Sequence, residues 1–277
     1  MAERSGFEPE NRFKPVTHLA GGRFRPLSHL SAPDDIISRF APDIGILDIG
    51  TLIPLKSLSA LGRLYIGLVV FSLCGSLLSE CTHLSPGPIA PIASILTILA
   101  GFMTIFEPEW REPAPRSISL LFSAFAIGCA AELLGIFTGI PFGRYEYSRK
   151  WEPVVNLGEK IFPLLLPFAW LMVVGACMSV CMKLRHPVIC GALLATAIDF
   201  VMEPVMTGPL DYWRWVVKGP LPGGASLLNP IGWFITSWLV GLVVVRLKVS
   251  SRFAAGTILA GHVTLTLGIA AIAVIPR

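Results

Sequence analysis

A chain of 277 residues that is 53% hydrophobic and only 14% charged, with a net charge of +4, is not composed like a soluble domain, in which about 25% of residues are charged. Its mean hydropathy of +0.69 predicts an all-α fold, a polytopic transmembrane helical bundle. The basic residues sit at the ends of apolar runs, where they set orientation, so nothing here points to nucleic-acid binding.

Residues 1–60 are polar, basic and rich in Pro and Gly, with no helical or strand period. They are expected to be a disordered or spurious extension, with the short apolar stretch 43–55 a candidate interfacial segment. Residues 61–277 carry the transmembrane domain. Within it, seven runs approach the roughly 20 residues that a membrane span needs: about 62–80, 88–106, 117–139, 161–182, 187–206, 231–247 and 253–275. Two connections are long, 140–160 and 207–230, and both are rich in Gly, Pro and aromatics. They follow the third and fifth runs, so they emerge on the same membrane face.

Three acids interrupt these runs. Glu132 is the sole formal charge between Arg116 and Arg144, and Asp199 and Glu203 are the sole two between Arg185 and Asp211. An ionisable group costs roughly 2.5–3.5 kcal/mol at the centre of a membrane helix, so such residues mark function by default. Span parity puts all three in the same half of the bilayer, beneath the two long loops. Asp199 and Glu203 are four residues apart and share one helix face. Two such close carboxyls in a low dielectric retain a proton between them.

The first motif, AELLGIFTGIPFGRYEY over 131–147, carries Glu132, Gly135, Thr138 and Gly139 largely on one helical face. Small residues at that spacing also serve plain helix packing. Phe142, Tyr145 and Tyr147 follow as an aromatic rim, suited to an interfacial belt or to substrate contact. The second motif runs from Asp199 through Glu203-Pro204 to Trp213, Trp215, Asn229 and Trp233. Pro204 frees a backbone carbonyl about one turn earlier, and the Trp cluster reads as an interfacial lid or a belt.

Other features are bland. The six cysteines form no CxxC pair and read as small buried hydrophobes. His262, alone in the last run, reads as a packed histidine before a catalyst. No HExxH, phosphate loop, GxSxG or magnesium-binding DDxxD is present, so no metal or cofactor is expected. The last run has no lysine for a retinal Schiff base.

At its two motifs the chain resembles the CruF-type carotenoid hydratase family, which includes carotenoid 1′,2′-hydratases and bisanhydrobacterioruberin hydratases. Glu132, Gly135, Thr138, Gly139, Pro141, Phe142, Gly143, Tyr145 and Tyr147 match the first block. Asp199, Glu203, Pro204, Trp213, Trp215, Asn229, Gly232 and Trp233 match the second. Two departures stand out: Glu203 occupies a position where Asp is expected, and the loop before Asn229 lacks aromatics. The resemblance implies a cofactor-free enzyme in a bacterial cytoplasmic membrane that adds water across the terminal double bond of a carotenoid ψ-end. It implies Glu132, Asp199 and Glu203 as catalytic residues, with Asp199 and Glu203 as the acid-base pair and Glu132 as an acid or a water-positioner. Thr138, Phe142, Tyr145, Tyr147, Trp213, Trp215, Asn229 and Trp233 would contact substrate. Its partners would be the carotenoid, the lipid bilayer and other carotenoid-pathway enzymes. The alternatives are another acid-base polyisoprenoid enzyme (an isomerase or cyclase) and a proton-coupled transporter, the latter opposed by the lack of an inverted repeat.

Overall fold

The computed structural model describes residues 57–84 and 87–274. The extension expected over residues 1–60, with its interfacial segment at 43–55, lies outside the described residues up to residue 56. Ser59 already caps the first helix, its hydroxyl accepting from Gly62 N at 3.2 Å.

The described chain is mostly helical. Four helices are long and apolar enough to cross a membrane: α1 (Ala60–Thr82), α4 (Pro115–Thr138), α6 (Pro187–Thr207) and α8 (Arg252–Ala273). They make this a multi-pass membrane protein by length and composition. Three shorter apolar helices complete the set: α2 (Ile89–Ile105), α5 (Leu166–Cys181) and α7 (Leu228–Val244). A five-residue helix, α3 (Glu107–Arg111), joins α2 to α4. Proline opens α4 and α6, where its missing N–H would have no partner anyway. Gly139 closes α4 in the left-handed conformation at φ 81°, which a glycine adopts without steric cost.

The long connections carry strands, and the second also a short 3-10 turn at Pro222–Gly224. Residues 140–165 hold strands β1 (Tyr145–Tyr147), β2 (Val154–Leu157) and β3 (Lys160–Pro163), and residues 208–227 hold β4 (Trp213–Trp215). β2 pairs with β3 as a hairpin, and β1 pairs antiparallel with β4 across 66 to 70 residues of sequence, Tyr145 opposite Trp215 and Tyr147 opposite Trp213. This corrects the all-α expectation. It also shortens the fourth run, expected from 161, because 160–163 is strand and the helix begins at Leu166. The missed signal is local: Tyr-Glu-Tyr and Trp-Arg-Trp alternate apolar and charged residues, the period of a half-buried strand.

Helix α5 is the centre. It packs against α2, α4, α6, α7 and α8, and every residue from Trp170 to Ser179 is buried, as expected of a helix that is apolar all round. Cys177 and Cys181 lie in this core. On the far side, Tyr65 of α1 is fully buried and its hydroxyl donates to the Ile258 carbonyl of α8 at 2.9 Å. Tyr65→Ala is therefore expected to destabilise the protein by about 3–5 kcal/mol and Tyr65→Phe by about 1 kcal/mol. Thermal unfolding in detergent reads both, and equal loss in the two variants would show that the ring's packing is not what holds α1 to α8.

Candidate active site

Helices α4 and α6 both flank α5 and α7, and their C-terminal ends lie beside the N-terminal ends of α5 and α7. The three acids meet at this end. Glu132, Asp199 and Glu203 are all buried, at 5%, 1% and 2% exposure. A buried carboxyl is tolerated only when its oxygens are bonded, and the loops supply most of the donors.

Glu132 has three partners. Tyr145 and Tyr147 donate their hydroxyls to its Oε2 at 2.6 and 2.9 Å, and Trp170 of α5 donates its indole N–H to Oε1 at 2.7 Å. Glu203 has two: Trp215 and Trp213 both donate to its Oε1, at 2.5 and 3.0 Å. The donors come from paired strands. In a strand, side chains i and i+2 share a face, so Tyr145 and Tyr147 point inward together, as do Trp213 and Trp215. The residues between them point away, where Glu146 pairs with Lys160 at 3.1 Å and Arg214 at 3.7 Å. Burial, reinforced by the Glu132 charge, holds the Tyr145 and Tyr147 phenols well above their ordinary range, so both serve as O–H donors.

Close approach requires small residues. A Cβ on Gly135, one turn along α4 from Glu132, would sit 2.6 Å from the Tyr145 hydroxyl, and one on Gly232 of α7 would sit 2.6 Å from the Phe142 ring. Gly135 thus makes room for an aromatic side chain, where helix-to-helix packing was the plainer expectation.

Asp199 is held differently. Asn229 of α7 donates its amide N–H to Oδ2 at 2.6 Å, and Oδ1 is buried without a hydrogen-bond partner. It lies within electrostatic reach of both Glu203 and Glu132.

These groups close one end of a cavity of about 440 Å³, within the roughly 300–1,000 Å³ of small-molecule sites. Glu132, Glu203, Phe142, Tyr145, Tyr147, Trp213, Trp215, Asn229 and Trp233 line it, so the two motifs, separated by about fifty residues of sequence, share one wall. Asp199 stands behind that wall and is not part of the lining. Thr138 is not brought to the site: it is exposed, and its hydroxyl donates to the Leu134 carbonyl at 2.7 Å.

Two aromatic residues belong to the site that the sequence did not single out, Trp170 and Trp151, while Tyr212 belongs to the polar-aromatic cluster over 211–215 that the sequence shows. Trp170 binds Glu132 and stacks on Trp233 with ring centroids 3.9 Å apart. Its sequence signal was a Trp in the interior of an apolar run, away from an interface. Trp151 and Tyr212 stack at 5.1 Å, and both line the cavity together with Ser94 of α2. Nothing in the irregular loop sequence announces Trp151. His262 also lines the cavity, its Nε2 2.7 Å from Met202 Sδ.

A family model described as carotenoid biosynthesis protein matches residues 92–275. No curated protein and no solved structure matches the chain.

The donor geometry makes a test of its own. Trp215→Phe keeps a ring against Tyr145 but leaves a buried carboxyl oxygen short of a donor, for an expected loss of about 1–3 kcal/mol. Trp238→Phe, at a half-exposed indole on α7, should stay within about 0.5 kcal/mol of wild type. Denaturant unfolding compares the two, and a neutral Trp215→Phe would mean that the indole does not support Glu203.

Proposed function

Because the chain belongs to the carotenoid biosynthesis protein family, we propose that it is a membrane hydratase, adding water across the terminal double bond of a carotenoid ψ-end group. The observation that carries this reading is the pair of buried carboxyls, Glu132 and Glu203, on the wall of one apolar, aromatic cavity. Hydration of an isolated trisubstituted double bond needs a proton donor, a water and an acceptor for the proton the water loses. In this reading all seven apolar helices cross the bilayer, the three short ones completed at their ends by the strands and turns.

Glu203 is proposed as the acid. Both of its indole donors go to Oε1, which leaves Oε2 as the oxygen able to carry and deliver a proton. Transfer to the less substituted carbon breaks the C=C π bond, forms a C–H bond and leaves a tertiary cation at the chain end. Faces of Phe142, Trp213 and Trp233 line the space around it, and a desolvated cation over an aromatic face gains about 2 kcal/mol or more. Water then adds through its oxygen and loses a proton, and the alcohol forms with Glu203 left anionic; the proton taken up from the water must pass back to Glu203 before the next turnover.

Glu132 is proposed to take that proton. Three protein donors fix its position, as a general base that orients a water requires. Asp199 is proposed to act through its neighbours: its negative form would repel charge on Glu203 one helical turn away, and it anchors Asn229 in the wall. This differs from the pairing of Asp199 with Glu203 that the resemblance implies, and it rests on Asp199 lying behind the lining.

Expression in a lycopene-producing host tests the reading, with mass analysis of the pigments and growth in ¹⁸O-labelled water. The expected product gains one water at the ψ-end, and the label appears in the new hydroxyl. Glu203→Gln and Glu132→Gln should each lower product by about 10²-fold or more, with Asp199→Asn milder than either. Unlabelled or unchanged pigment from well-expressed wild-type protein would sink hydration in favour of isomerisation or cyclisation.

A further inference from the structure

The cavity has two ends. Its inner end holds Glu132 and Glu203 with their aromatic donors, and Glu80 of α1 belongs to the lining of the other. Its outer end is walled by the C-terminal half of α1, the N-terminal half of α2 and the C-terminal half of α8. Several residues of that outer wall lie on the outside of the bundle as well. Phe71 is 51% exposed and Ile89 58%, and Gly75, Ala90 and Ala273 are exposed too. A residue that belongs to both surfaces marks an edge at which the two are continuous.

The helix faces at that edge explain the opening. Ser72, Gly75, Ser76 and Ser79 of α1 recur at helical spacing and all line the cavity, so no large side chain fills the gap toward α2. At the inner end Trp151 is among the lining residues, buried at 6% exposure, and its Nε1 has no hydrogen-bond partner. Access from the loop side would have to pass the paired strands β1 and β4 and the Tyr212 ring beside them. It would in any case take an apolar chain through water at about 25 cal/mol per Å².

We propose that the edge between α1, α2 and α8 is a lateral mouth, through which one end of a long linear polyene enters directly from lipid while the rest of the chain stays in the bilayer. The substrate class is that of the hydratase reading; the route is added here. One consequence is chemical. The acids reach a single end per visit, so a substrate with two reactive ends is processed in two separate encounters and releases a singly hydrated intermediate.

Two glycines on α1 make the test. A Cβ at Gly75 or at Gly67 meets no atom within 4 Å, and both are exposed, but only Gly75 lines the cavity. The full chain is purified in detergent from lycopene-producing membranes, and bound lycopene per protein is measured by absorbance. Gly75→Phe is expected to lower bound lycopene about ten-fold, the cost of a bulky side chain in an apolar path. Gly67→Phe and Gly75→Ala should bind as wild type does. Ala90→Phe, on the opposite rim, should reproduce the loss. Hydration of a short acyclic isoprenoid with the same end group, supplied in detergent, should persist in Gly75→Phe.

Equal lycopene binding by Gly75→Phe and Gly67→Phe would overturn the mouth, as would loss of the short substrate along with the long one. Wild-type protein that retains lycopene but hydrates nothing would remove the hydratase reading and leave the binding comparison standing. Wild-type protein that retains no lycopene would overturn both.

Discussion

The need of two buried carboxyls for hydrogen-bond donors organises this end of the protein. Glu132 and Glu203 stand on different helices in an apolar interior, where an unpaired carboxyl is expensive. Neither helix can satisfy its own acid, because helical backbone N–H groups are already committed. The donors come from a two-stranded clasp whose inner face carries Tyr145 and Tyr147 on one strand and Trp215 and Trp213 on the other. Pairing the strands brings the two donor sets together, and with them the acids.

The same clasp seals the site. Its outer face is charged, with Glu146 between Lys160 and Arg214, while its inner rings continue into Trp151, Tyr212, Phe142 and the Trp170–Trp233 stack. The clasp covers the cavity on the loop side, while α1, α2 and α8 line it with small, polar and apolar side chains. That asymmetry suits chemistry in which a proton must reach a hydrocarbon. A carboxyl in water is too well solvated to protonate an alkene, whereas one in a dry aromatic pocket has no other acceptor at hand.

Burial also divides the three acids. Glu132 and Glu203 face the cavity; Asp199, although one turn from Glu203 on the same helix, turns to Asn229 and lies behind the wall. Sequence spacing alone makes Asp199 and Glu203 equivalent. The difference arises because residues four apart on a helix diverge by about 40° in direction, enough to put one at a cavity and the other at a helix contact.

Much was already written in the chain. The apolar runs predict the seven helices to within a few residues, since burying or lipidating twenty apolar side chains leaves few other options. The cost of an intramembrane charge singles out Glu132, Asp199 and Glu203 without any coordinates, and span parity puts them at one end. Tertiary structure alone decided what each acid touches. The β1–β4 pairing joins segments too far apart for local propensity to specify, and Trp170 reaches Glu132 only because α5 runs through the centre of the bundle. Thr138 shows the converse: it shares the motif's spacing, yet its side chain faces outward, because the rotation of α4 is set by its packing on α5 and α7 and not by the motif.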